Sequence, residues 1–314
     1  MSITTLCVPD SNPYRAGRFY FHTGDLARAR PLLYWAALEK PWKIERWARW
    51  LVCSTPSFFS GVFAGRRRQW HELWQKALTL PGFADARESA VAEMAEYLGV
   101  SREEALAQCS GASGKLSDSW KARNPRTADE ITRFYQEENS YIGDLVFERT
   151  KPLEFAGRHA VESLLFAREQ GLKRVLDFGS GDGSCGICYA YYGFEAAMAD
   201  VAGHLLDFIR WRFKKRGLTG RFYHLPQDRI PDGQFDLVSA FDTFEHLADP
   251  KTALREVFRI LRPGGFLIAN LPFGPTCDHP MHLPHDYREF MRFARYLGFK
   301  IKPFTLKEFY VLER

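Results

Sequence analysis

The chain has 314 residues, 46% of them hydrophobic and 26% charged, enough for a sizeable core and ordinary for a soluble globular protein. Its net charge of +5 is scattered in runs no longer than Arg66-Arg67-Arg68 and Lys214-Lys215-Arg216, so no nucleic-acid partner is expected. Six cysteines do not make a disulfide scaffold, and no apolar run is long enough to span a membrane.

The N-terminus, MSITTLCVPDSNPYRAG, lacks a positive start followed by an apolar run, and a cytoplasmic location is expected. Helices are predicted at 28–39, 43–53, 67–80, 86–98, 101–108 and 128–147. Ser101 followed by Glu104 has capping-box spacing. The Gly-, Ser- and Pro-bearing segment 111–127 reads as a loop or linker. Trp35, Trp42, Trp47, Trp50, Trp70, Trp74 and Trp120 all lie in this half, and are expected to fill a helical core. A dimer face or an acceptor pocket is the other use of such residues. The domain expectation is therefore a helical region, 1–125, suited to acceptor selection or to homodimer formation. A second domain, 126–314, opens with a helical lid, 128–156.

Beyond residue 155 strands and helices alternate. A helix at His159–Glu169 precedes a strand at Arg174–Phe178, a helix at 184–192, a strand at Ala196–Asp200 and a helix at 203–216. Next come strands near 221–224 and at Phe235–Phe241, a helix at 250–260 and a strand at Phe266–Asn270. A helix at 287–296 leads to two strands, 299–304 and 307–313, close enough to form a hairpin at the edge. The expected class is α/β: an open, mostly parallel sheet, covered on both faces and ending in that antiparallel pair. Cys185 and Cys188 fall inside a helix and have no second CxxC partner, so they read as packing residues.

The stretch VLDFGSGDG, 175–183, ends the first of these strands. Its glycines allow a sharp turn and close approach of a ligand to the backbone, while Asp177 argues against a bound phosphate. Asp200 ends the next strand, where a carboxylate can accept both hydroxyls of a ribose. A dinucleotide or another nucleoside-bearing cofactor satisfies this pattern equally.

DFGSGDG resembles the first motif of the class I S-adenosylmethionine-dependent methyltransferases, and later segments follow that family's order. They are Asp200, PDGQFDLVSAFDTFEHLADP (231–250), LRPGGFLIANLP (261–272) and the terminal YLGFKIKPFTLKEFYVLER. The likeness covers about 160–314 and implies a Rossmann-like seven-stranded sheet, with S-adenosyl-L-methionine as cofactor. It further implies that Gly179, Gly181 and the backbone at Ser180 line the methionine and ribose portions, and that Asp177 sits near the amino group. Asp200 would hold the ribose, Val201 would pack beside the adenine, and Phe241 and Asp242 would border the methyl-transfer site. The adenine amino group falls to Gln227 or Asp228, with Asp228 preferred. Phe134, Tyr135 and Tyr141 of the lid would reach over the cofactor, with Tyr141 placed among the catalytic residues.

A general base is needed only if the acceptor must shed a proton. CDHPMHLPHDYREF, 277–290, supplies His279, His282 and His285, with His282 favoured because Pro280 and Pro284 stiffen the loop around it. A metal held by these imidazoles with Asp278 or Asp286 is the competing reading, and none is expected, because similar loops in relatives border the acceptor pocket without one. The function expected is methyl transfer to an O, N or C atom of a small biosynthetic molecule. RNA or protein methylation is disfavoured because Phe241-Asp242-Thr243-Phe244 stands where those enzymes carry an Asn/Asp-Pro-Pro-Phe/Tyr motif. A dinucleotide reductase and a non-catalytic helical interaction protein complete the alternatives.

Overall fold

A computed structural model describes residues 26–40, 43, 47, 50, 69–149, 155–276, 279–302 and 309–314. Trp42, Arg66-Arg67-Arg68, Asp278 and most of the helix expected at 43–53 lie outside them. Contacts divide the chain into Met1–His71 and Glu72–Arg314. In the first unit, helix α1 (Leu26–Glu39) buries Leu33, Ala36 and Ala37. Its Trp35 is 62% exposed and fills no core, whereas the Tyr34 ring lies 6.4 Å from Trp47 and 5.5 Å from Trp50.

The second unit is built on a seven-stranded sheet. Its strands are β1 (Arg174–Phe178), β2 (Glu195–Asp200), β3 (Arg221–His224), β4 (Phe235–Ala240), β5 (Leu261–Ala269), β6 (Lys300–Lys302) and β7 (Tyr310–Glu313). Their spatial order is β3-β2-β1-β4-β5-β7-β6. The first five run parallel, and β7 pairs antiparallel with both β5 and β6. This is the expected sheet. The strand order reverses between β1 and β4, which opens a crevice beyond their C-terminal ends.

Helix α2 covers residues 69–78. After it come α3 (Ala86–Leu98), α4 (Arg102–Cys109), α5 (Ala112–Arg123), α6 (Ala128–Glu137) and α7 (Tyr141–Arg149). Those of the sheet half are α8 (Phe155–Glu169), α9 (Ser184–Tyr191), α10 (Gly203–Lys215), α11 (Pro250–Ile260) and α12 (Tyr287–Leu297). Side chains alternate along a strand, so Leu176 and Phe178 face one side with Val238 and Ala240. There they meet Leu254, Val257 and Ile260 of α11 and Phe290, Met291 and Ala294 of α12.

Segment 112–123 corrects the expected loop. Leu116 and Trp120, one helical turn apart, bury with Ile131, Phe134, Tyr135 and Met281, and that burial outweighs the Gly and Ser content. Gly111 and Asn124, both left-handed, bound the helix. The Ser101–Glu104 capping box is present. The chain's contacts part at 71/72 rather than at 125/126, because the appended helices share cores with the sheet half. Ala90 and Met94 of α3, Cys109 of α4 and Ile142 and Val146 of α7 pack with Leu205 and Phe208 of α10.

A buried ion network reinforces that seam. Arg212, with no exposed surface, donates through Nε and Nη2 to Glu93 Oε2 at 3.0 and 2.9 Å. Its Nη1 donates to the Asp182 carbonyl at 2.6 Å and to Asp182 Oδ2 at 3.1 Å. Arg216 Nε reaches Glu93 Oε1 at 2.6 Å. Asp182 belongs to the glycine turn, so α3 is tied through α10 to the end of β1.

Candidate functional site

The turn after β1 carries three glycines in the left-handed region: Gly179 at φ 76°, Gly181 at φ 54° and Gly183 at φ 75°. A Cβ on Gly179 would stand 2.5 Å from Thr243 Oγ1, and one on Gly181 would stand 3.2 Å from Leu145 Cδ1. The glycines therefore admit protein side chains against the turn as well as permitting its backbone. Ser180 is buried, its N–H donating to the Ala199 carbonyl at 3.1 Å and its carbonyl accepting from Gly183 at 2.8 Å.

Two carboxylates stand at this end of the sheet. Asp177, buried on β1, accepts from Ser239 Oγ at 3.1 Å. Asp200, at the end of β2, accepts from Gly181 N–H on Oδ2 at 2.9 Å and from Ala202 N–H on Oδ1 at 3.0 Å. A carboxylate held in this way by backbone N–H groups keeps acceptor capacity for a vicinal diol. Burial raises the Asp200 carboxyl, against the backbone N–H groups that lower it. Val201 packs against the Trp120 cluster, as do Tyr141 and Leu283.

Other expected residues are placed as follows. Asp228 is exposed, and its Oδ2 closes its own turn by accepting from His224 N–H at 2.7 Å. The Phe241 ring lies 5.2 Å from His159 and 5.8 Å from Phe309. Asp242 stands at φ 50° and is held reciprocally by Asn270. Its N–H donates to Asn270 Oδ1 at 2.7 Å, and its Oδ1 accepts from Nδ2 at 2.6 Å. Burial, with Asp144, Asp200 and Glu245 nearby, raises the Tyr141 phenol far above its ordinary value, so it is a hydrogen-bond donor at neutral pH.

The three histidines part company. His285 Nε2 lies 2.8 Å from the Leu247 carbonyl, and its ring meets Phe273, which makes it an anchor of the loop. His279 is exposed and stacks on His282 with centroids 5.0 Å apart. His282 meets His246 edge-on at 4.9 Å. His246 follows β4 in a 3₁₀ turn, Phe244–His246, and its Nδ1 lies 2.8 Å from the Tyr135 hydroxyl. Leu283 N–H donates to the Glu245 carbonyl at 2.7 Å, which draws the histidine loop onto that turn. Burial, then the neighbouring imidazoles, lowers His246 to about 3, and burial with His279 lowers His282 to about 4, so both rings are neutral at physiological pH. Asp286 serves as the N-cap of α12 rather than as a ligand, accepting from Arg288 and Glu289 N–H at 2.7 and 3.0 Å.

Glu245, His246 and Asn270 were not singled out as site residues by sequence reasoning. The EHL segment that holds two of them was visible, but its meeting with His282 is a tertiary event. The cleft lined by Arg174, Glu195, Thr219, Gly220 and Gln234 opens at the opposite ends of the strands and touches none of these residues.

The methyltransferase-domain family matches residues 176–269, from β1 to β5. Residues 176–269 of the sheet half thus match a methyltransferase domain. A demethylmenaquinone methyltransferase of Thermus thermophilus is 37% identical over 124 residues, covering 38% of this chain and 54% of that protein. A ubiquinone biosynthesis O-methyltransferase of Ruegeria pomeroyi is 33% identical over 99 residues, covering 31% and 40%. A probable S-adenosylmethionine-dependent methyltransferase of Mycolicibacterium smegmatis is 32% identical over 146 residues, covering 42% and 52%. The chain spans about half the length of the curated relatives it matches.

S-adenosylmethionine is the cofactor of this methyltransferase domain, and the donor chemistry of the site fits it. A cationic ammonium offers only donors and a ribose diol offers two O–H donors, and the strand ends beside the turn present the two buried carboxylates Asp177 and Asp200 as acceptors. Among the described residues no helix is long and apolar enough to cross a membrane.

Proposed function

We propose that the chain transfers a methyl group to a small-molecule acceptor, at an O, N or C atom. The observation that carries the reading is the Asp177–Asp200 carboxylate pair around the glycine turn, at the point where strand order reverses. Asp200 receives the ribose hydroxyls, Asp177 faces the ammonium, and the backbone of Gly179, Ser180 and Gly181 borders the methionine portion. Val201 packs against the adenine, and Asp228, which spends Oδ2 on the His224 N–H, stands beyond β3 to offer Oδ1 to its amino group. The bound cofactor supplies an electrophilic methyl group.

The acceptor side is formed by Phe241, Asp242, Tyr141, His279, His282 and His285, with Tyr135 and His246 added. Much of the rate in such a site comes from orienting the nucleophile and excluding water, and α6 and α7 act as the cover. Names of relatives in quinone biosynthesis support a small acceptor. Partners beyond that acceptor, a homodimer through the N-terminal helices and a cytoplasmic location belong to the same reading.

The test is calorimetric titration of the full chain with S-adenosylmethionine, S-adenosylhomocysteine and NADH, beside Asp200→Ala. Binding of the first two, no heat with NADH and a loss of at least about tenfold in affinity in the variant are expected; the variant loses a charge-assisted contact of about 1.5–3 kcal/mol. Folded protein that binds neither sulfur nucleoside refutes the reading.

A further inference from the structure

The side chain of Glu245 presents a problem that methyl transfer does not answer. It has no exposed surface, and among the described residues neither Oε1 nor Oε2 has a well-formed hydrogen bond; only the nearby backbone N–H groups of Thr243 and Glu245 favour its charge, against burial and Asp242. Buried carboxylates are normally paired, hydrogen-bonded or bound to a metal. Among the described residues no Lys or Arg is ion-paired to it. What it does face is two imidazoles: one ligand atom from each of Glu245, His246 and His282 lies within 4.8 Å of the others.

We propose that Glu245, His246 and His282 form a binding site for a divalent first-row transition-metal ion of the zinc class, at the acceptor side of the sheet. The donor set is two imidazole nitrogens and one carboxyl oxygen, which suits zinc, cobalt or iron and leaves at least one position open. Tetrahedral bonds of about 2.0–2.1 Å put ligand atoms about 3.4 Å apart, so the three side chains close by at most about 1.4 Å on binding.

The surroundings orient the rings as a metal site needs. The Tyr135 hydroxyl on His246 Nδ1 fixes that ring, and ligating histidines are commonly held in this way through their second nitrogen. The Glu245 carbonyl accepts from Leu283 N–H, so the backbone that carries one ligand holds the loop that carries another. Tyr141, close enough to both Glu245 and Asp200 to feel each charge, places the site beside the cofactor carboxylate. An ion there would polarise an acceptor oxygen at its open position as a Lewis acid. This replaces the sequence expectation of no metal. Of the ligands weighed there only His282 is retained, because Asp286 caps a helix and the Glu245–His246 pair comes from a different loop.

Ion binding is a claim separate from methyl transfer, and its test keeps the two apart. Full-length protein is stripped with chelator, dialysed, and titrated with Co²⁺ followed by visible absorption, and with Zn²⁺ by competition. S-adenosylhomocysteine binding is measured on the same samples. One equivalent of Co²⁺ with the intense visible bands of a four- or five-coordinate site is expected. Glu245→Gln and His282→Ala abolish the bands while binding S-adenosylhomocysteine as the parent does. His279→Ala, outside the donor set, keeps them, and Tyr135→Phe weakens the ion by about 10- to 100-fold. Stripped protein that binds the nucleoside but takes up no Co²⁺ overturns the proposal, as does uptake unchanged in both Glu245→Gln and His282→Ala.

Discussion

Glu93 offers the sharpest test of how the appended helices are joined to the sheet half. It has no exposed surface, and it receives two guanidiniums: Arg212 through two bonds to Oε2, and Arg216 through Nε to Oε1 and Nη2 to Oε2. Burial alone would raise its carboxyl, yet the two arginines hold it below its ordinary value. In Glu93→Gln the shape is retained and the charge is removed, leaving Arg212 buried with Asp182 as its remaining anion. Breaking a buried pair in this way costs about 3–5 kcal/mol. For a unit of this size that corresponds to a fall in Tm of about 6–20 °C. Calorimetric or circular-dichroism melts of the two proteins read it directly. Because Arg212 also holds the Asp182 carbonyl of the glycine turn, S-adenosylhomocysteine affinity should fall in the same variant, measured below its melting range. A Tm within a degree or two of the parent, with unchanged affinity, would mean that Asp182 and Ser184 alone satisfy Arg212, and the coupling argued here would be wrong.

Gly179→Ala should be more damaging than Gly181→Ala, since its Cβ meets both Thr243 Oγ1 and Cγ2 within 2.6 Å, whereas the second meets only the end of Leu145. Both incur about 1–2 kcal/mol for the left-handed backbone, so urea midpoints that drop equally would contradict the contact argument. Asp236 accepts from Arg174 at 2.9 Å and Arg262 at 2.6 Å; burial opposes its ionisation, but these guanidiniums and the N–H groups of Lys173 and Arg174 hold it well below the usual carboxylate range. Its contribution is therefore fully present above the unfolded value of about 3.9 and is lost as pH falls further. Urea titrations at neutral pH and near pH 3 should show Asp236→Asn less stable at the first and closer to the parent at the second. Trp120→Ala removes a buried ring from the cluster with Phe134 and Tyr135 and should cost about 3–5 kcal/mol by denaturant midpoint.

Legibility in the sequence followed the range of the interaction. The strands of the parallel sheet are apolar runs closed by turn residues, and Arg174–Phe178 reads directly as β1. Strand β5 begins at Leu261, earlier than expected, because Pro263 and Gly264 look like loop residues. The strand accommodates them by a register shift opposite β4 and by the Gly264 N–H donating to the Arg314 carbonyl. Helix 112–123 was hidden by composition for a similar reason: Leu116 and Trp120 are the large side chains of its buried face, and they gain their burial from residues 131–135 and Met281. Asp177 and Asp200 could be found because each stands next to a strand end that marks it. Glu245 could not, since its environment comes from a loop beyond β5.

The cover over the site is part of the fold's core, and this bears on how an acceptor reaches it. Leu145 of α7 lies against Gly181, Tyr141 stands among Asp200, Asp242 and Glu245, and Tyr135 of α6 is bonded to His246. Behind these residues Ile131 and Phe134 are buried with Trp120 and Leu116, and Ile142 and Val146 with α10. Swinging α6 and α7 away would expose both clusters at once, at a cost of many times 1.5–3 kcal/mol, about what one large apolar side chain gains on burial. The histidine side is built otherwise: Pro272, Pro275, Thr276 and His279 are exposed. The segment rests on a small set of bonds, Leu283 to the Glu245 carbonyl, Gly274 N–H to the Leu283 carbonyl, and His285 to Leu247. Opening there breaks those hydrogen bonds, each worth about 1 kcal/mol net, and withdraws Met281 from the Trp120 cluster, whereas opening at α6 and α7 exposes both clusters together. Acceptor access in the proposed function therefore belongs to the 272–286 side, and the appended helices act as a fixed wall that shapes the acceptor by what they exclude.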